Sequence, residues 1–138
     1  MKVAFAFVIA LQASFTLSES CHAQVGPGPI SAPGSITVSN VAPSGQVKGG
    51  QKNTVTANVK VSALPDGTYN VTIVVYCYGP DDSKTTKGTV VVTNGVGTVN
   101  VSADFPSAST GQTGQVQVEV QSADSGASDA AESSITYQ

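Results

Sequence analysis

Past residue 23 this chain contains no histidine, methionine, arginine or tryptophan, and only one cysteine, Cys77. Without His, neither a Ser-His-Asp nor a Cys-His nucleophile arrangement can be assembled, and zinc has no ligand cluster. Setting aside Lys2 and Glu19 from the six basic and nine acidic residues leaves five lysines against eight carboxylates. That balance offers nothing to polyanions, so nucleic acid and acidic membrane surfaces are poor partners. No second long apolar run follows the N-terminal one, and neither a membrane span nor a lipid-anchor tail is readable near the C-terminus. Ser, Thr, Asn and Gln must supply the solvated surface.

What is present begins with an export signal. Lys2 gives a positive start, Val3 to Leu17 is almost wholly apolar or small, and Ser18-Glu19-Ser20 follows. The apolar run is shorter than the roughly 20 residues of a membrane span. Two cuts satisfy the small-residue rule, one after Ala23 and one after Ser20. The first is favoured, giving residues 1–23 as signal peptide. Buried amphipathic helix and lipid-anchored Cys21 are the competing readings; no polar stripe supports the helix, and Glu19 sits badly before a lipidated cysteine. The cut decides the thiol chemistry: after Ala23, Cys77 stands alone, whereas after Ser20 a Cys21–Cys77 disulfide is open to it.

The remaining length, roughly 115 residues, suits one domain. Residues 24–34, QVGPGPISAPG, read as a Pro/Gly-rich leader. From Ser35 to the end the period is two and no helical spacing occurs, so residues 35–138 are expected to be all-β. Strands are placed near 35–41, 53–62, 68–78, 88–93 and 96–103, around Val116, Val118 and Val120, and near 132–137. Residues 79–87 are assigned to a loop. Asn94-Gly95 is the strongest hairpin signal, because its turn needs φ > 0 at both positions. About seven strands with regular turn signals predict a two-sheet antiparallel β-sandwich. Val90-Val91-Val92 would lie on an edge strand with little to protect it from self-association.

Leu64-Pro65-Asp66-Gly67-Thr68-Tyr69-Asn70-Val71 resembles the tyrosine corner of immunoglobulin-like and fibronectin type III-like domains. The resemblance implies an immunoglobulin-like sandwich and implies no function by itself. The corner here precedes several strands, where the pattern has it before the penultimate one. The Cys pair and core Trp of antibody domains are absent.

Candidate sites are few. On the strand 68–78, Tyr69, Val71, Ile73, Val75 and Cys77 share the inward parity, which makes Cys77 structural. Thr72, Val74, Tyr76 and Tyr78 take the outward parity and form an apolar, aromatic stripe where a solvated face should be polar. Either Val74, Tyr76 and Tyr78 bind a ligand, or a loop or the leader covers a central strand there. Asp81-Asp82 reads first as a solvated turn and second as part of a calcium site with neighbouring loops. Asp124, Asp129 and Glu132 read as another solubilising group. Asn70-Val71-Thr72 and Asn100-Val101-Ser102 are glycosylation triplets if the host is eukaryotic.

The expectation is a secreted, non-catalytic recognition or structural module without a required cofactor. It would meet an extracellular protein or carbohydrate outside the cell, or in the periplasm or at the surface if the source is bacterial. The competing class is a secreted hydrolase using carboxylates, with Asp81 or Asp82 near Asp104, Asp124 or Asp129 in a cleft, or an enzyme inhibitor. An inhibitor needs a rigid protruding loop, and the Ser-Gly-rich segment 122–131 reads as too flexible for that.

Overall fold

The computed structural model describes residues 33–138; the signal segment 1–23, most of the leader and Cys21 lie outside them. Among the described residues there is no helix, and eight strands follow in order. They are β1 (Ser35–Ala42), β2 (Gly45–Val47), β3 (Lys52–Ser62), β4 (Gly67–Cys77), β5 (Asp82–Thr93), β6 (Val96–Asp104), β7 (Thr113–Gln121) and β8 (Ser128–Tyr137).

Hydrogen bonding links them in the order β1-β3-β6-β5-β4-β7-β8-β2. The link between β6 and β5 is confined to Val92↔Gly97 and Thr93↔Val96 beside the hairpin turn. Beyond those pairs the two strands part, giving two sheets: sheet I (β1-β3-β6) and sheet II (β5-β4-β7-β8-β2). The sheets face each other, and β1 packs against β7 and β8. All pairings are antiparallel except β2, which runs parallel to β8 at its end.

The alternation that defines these strands also builds the core. Ile36, Val38, Val55, Val59 and Val99 from sheet I meet Val71, Ile73, Val75, Val116, Val118 and Val120 from sheet II, all buried. Valine dominates because a β-branched side chain with one stiff torsion fills a pleated, enclosed face at little entropic cost. Each such side chain contributes about 1.5–3 kcal/mol by leaving water. No buried side-chain N or O atom among the described residues lacks a hydrogen-bond partner.

Three expectations need correction. The strand count is eight, because β2 is three residues long and too short to show alternation. The assigned loop 79–87 is mostly strand: β5 starts at Asp82 and pairs with β4 from there to Val92. Its first half, Asp82 to Lys87, is polar on both parities because it lies at the sheet edge, where no core imposes a pattern. The last strand likewise starts at Ser128, and part of the segment read as flexible is ordered by pairing with β7.

Candidate functional site

The outer face of sheet II is positioned by the corner that brings the chain across from sheet I. Tyr69 is buried, and its hydroxyl donates to the Pro65 carbonyl at 2.6 Å. The neighbouring Asp66 carboxylate accepts from the backbone N–H groups of Asn94 and Gly95 at 2.6 and 2.9 Å. Those are the two residues of the β5–β6 turn, with φ of 53° and 75° as a two-residue turn of this kind requires. The Gly95 carbonyl in turn accepts from Val61 N. One carboxylate thus fastens the hairpin to the corner at the start of β4, and the two amide bonds hold its pKa below the ordinary aspartate value.

From that anchor β4 runs through the centre of sheet II. The register sets Val74 between Thr85 and Gln117, and Tyr76 between Ser83 and Gln115. One pair further along β7 and β8, Gln117 stands opposite Glu132. Val74 and Tyr76 are half-buried by these neighbours, and Tyr78, just beyond the strand end, is 55 % exposed. The Tyr78 hydroxyl donates to Gln115 Oε1, and Gln115 Nε2 donates to Glu132 Oε2. A continuous polar chain therefore runs from the exposed tyrosine across β7 to β8. The face offers two aromatic surfaces two residues apart on one strand, rimmed by amides, hydroxyls and a carboxylate.

The underside of this end is also fixed. Tyr137, at the end of β8, crosses beneath β7, and its hydroxyl donates to the Tyr76 carbonyl at 3.1 Å. Burial, then the neighbouring Cys77 and Asp82, pushes its pKa up to about 12, so it remains a neutral donor. Gly114 makes the crossing possible: a Cβ there would lie 2.1 Å from the Tyr76 carbonyl oxygen and 3.0 Å from the Tyr137 ring. Among the described residues Cys77 has no disulfide partner; it is buried, and its sulfur lies 3.7 Å from Gln112 Oε1, in keeping with its inward parity.

The other predicted residues are dispersed. Asp81 sits in the β4–β5 turn with φ of 53°, while Asp82 opens β5 opposite Cys77. Among the described residues no group of three His, Cys, Asp or Glu side chains comes together to hold a metal ion. Asp129 faces inward and accepts from Val38 N at 2.7 Å, joining β8 to β1, whereas Glu132 faces outward. Asp124 shares a small recess of about 90 Å³ with Asp66, which already serves two backbone amides. A larger, open cleft of about 350 Å³ at the other end is lined by Gly50, Gln51, Lys84, Asp104, Phe105 and Ser107, a single carboxylate among them. Neither recess pairs two free carboxylates as an acid and base.

Asn70 and Asn100 are both exposed. Asn70 lies on the same outer face as Tyr76, about 20 Å along the strand by the usual rise per residue. Asn100 belongs to the outer face of sheet I.

Gln115 and Gln117 are site residues that the sequence did not single out, and Glu132 read there only as part of a solubilising group. Their outward parity was legible, since Gln115 and Gln117 alternate with Val116 and Val118; their place beside the tyrosines depends on a long-range register that no local pattern carries. No protein-family model matches this chain, and comparison with curated proteins finds no significant relative.

Proposed function

We propose that this chain is an immunoglobulin-like sandwich acting as a secreted, non-catalytic recognition module that binds carbohydrate on the outer face of sheet II. Strand order supports the fold reading. An immunoglobulin domain places its first, second, fourth and fifth strands on one sheet and its third, sixth and seventh on the other. Counting β2 as part of the first strand, the order β1-β3-β6 and β4-β7-β8 follows that scheme, and β5, fourth in the count, departs from it by lying beside β4. The bond from Tyr69 to the Pro65 carbonyl adds the corner, displaced to the third major strand. Export rests on the apolar N-terminal segment of the sequence.

The observation that carries the binding reading is the outward pair Tyr76 and Tyr78 with Gln115, Gln117 and Glu132 beside them. A sugar ring presents an apolar face and an equatorial belt of hydroxyls. Tyrosine rings complement the first, and planar amides and carboxylates complement the second. The hydrogen-bonded chain holds the groups in place before a ligand arrives, which lowers the ordering cost of binding.

Glycan-array screening of the chain, followed by titration of the best sugar, tests this. Tyr76→Ser and Tyr78→Ser should each weaken binding about tenfold or more, equivalent to ~1.4 kcal/mol. Equal binding by the double variant would remove this face, and an array without any hit alongside capture of a defined extracellular protein would replace the sugar with a protein ligand.

A further inference from the structure

We infer that β5 is the contact through which two copies of this chain pair edge to edge, setting their tyrosine faces side by side on one surface. Among the described residues, β5 is hydrogen-bonded to β4 throughout but to β6 only at Val92 and Thr93. Residues 82–91 therefore present an open backbone edge. A two-residue turn closes on a hydrogen-bonded pair, here Thr93 and Val96. The N–H and C=O groups of Thr93 thus point away from β4, and by alternation so do those of Ser83, Thr85, Lys87 and Thr89. The Val91 carbonyl confirms the parity, lying 2.8 Å from where a Cβ on Gly97 of β6 would be.

Lysine on an edge ordinarily discourages pairing, and β5 carries Lys84 and Lys87. The positions of the charges, together with the length of strand that can pair, select one self-pairing: centring on Ser83 would pair only residues 82–84. Antiparallel pairing about Lys84 or about Lys87 sets like charges directly opposite, which is destabilising. Pairing about Thr85 instead sets Thr85 against its counterpart and Lys87 against Ser83 of the second copy. Lys84 then meets Thr86, and no lysine stands opposite another. Moving the centre to Thr86 puts the two Lys87 side chains on neighbouring pairs. The Thr85 register also keeps the pairing clear of the β5–β6 turn, where the strand bends toward sheet I.

Such a contact is isologous, with its two-fold axis normal to the sheet. Both outer faces of sheet II then lie on the same side of one continuous sheet. A polymeric ligand could engage both at once, and linking two sites in this way multiplies apparent affinity by about 10² or more without new contacts. The pairing itself does not depend on what the tyrosines bind.

Sedimentation equilibrium of the chain as its host produces it, from micromolar to millimolar concentration, should show a monomer–dimer equilibrium. Because the Thr85 amide is unused within the molecule, Thr85→Pro should keep the circular dichroism spectrum and melting temperature while raising the dimer dissociation constant at least about tenfold. If that variant does not fold, Thr85→Lys places two lysines face to face at the axis without touching the backbone and should give the same loss. Thr85→Cys should form a disulfide-linked dimer under mild oxidation. A chain that stays monomeric throughout the range, or a folded Thr85 variant that dimerises like the parent, overturns the inference. Loss of polymer binding in Thr85→Pro with unchanged binding of a short sugar separates this contact from the tyrosine site.

Discussion

Asp66 and Tyr69 show how much of this fold turns on single side chains in a chain with few charges. Asp66 accepts from both turn amides of the β5–β6 hairpin, and those bonds lower its pKa from the ordinary value of 3.8. A carboxylate whose pKa is lower in the fold binds fewer protons there than when unfolded. Its contribution is full above the unfolded pKa and disappears as pH falls through the folded one. In urea titrations, the chain should therefore exceed Asp66→Asn in stability at neutral pH, and the gap should close below about pH 4. A gap independent of pH would mean that shape, and not charge, is what the turn amides need. Tyr69 is a second case. Its inward place was legible in the alternation of residues 68–78, whereas the reach of Asp66 to Asn94 and Gly95 crosses the chain and leaves no local trace.

At the level of strands, legibility followed burial. In β3 and β7 one parity is almost entirely Val or Ala and the other is polar, and in β4 one parity collects Tyr69, Val71, Ile73, Val75 and Cys77, so the inward face could be assigned residue by residue. The first half of β5 and the start of β8 escaped because Ser, Thr, Lys, Asp and small Ala occupy both parities there, and pairing with β4 and β7 is what makes them strands. The candidate site divides the same way: Val74, Tyr76 and Tyr78 were placed by parity on one strand, while Gln115 and Glu132 join them through pairings between strands. Gly114 is where that pairing is least forgiving. Its Cβ position is occupied by the Tyr76 carbonyl and the Tyr137 ring. Gly114→Ala must push β7 from β4 or displace Tyr137 from its bond to Tyr76, at a cost of about 3 kcal/mol. Chemical denaturation should report that loss, with weaker ligand binding as β4 shifts. A variant as stable as the parent would mean that the β4–β7 spacing is adjustable and the tyrosine face is not rigidly set.

Across the whole molecule, the face can serve recognition without a lid or a cleft only if the sandwich beneath it is stiff. Tyr78 is tied to Gln115 and Glu132 above the sheet, while Tyr137 ties β8 to Tyr76 below it. Cys77 lies in the middle of this arrangement, 1 % exposed, with its backbone paired to Asp82 on one side and Gly114 on the other. Reagent can reach that thiol by local parting of β4 from its neighbours or by global unfolding, and the two routes differ in cost. If the strands part only together, the reactive fraction equals the unfolded population, about 10⁻⁴ or less for a domain of ordinary stability. Alkylation of Cys77, followed by peptide mass so that no other thiol contributes, should then run at that fraction of the rate in denaturant. It should also rise with low urea concentrations along the same slope as global unfolding. Labelling that is fast in native buffer and indifferent to urea would place a local opening under Tyr76 and Tyr78. The surface would then be assembled by the ligand and not presented to it, and sugar binding should carry a larger ordering cost than a preformed face requires.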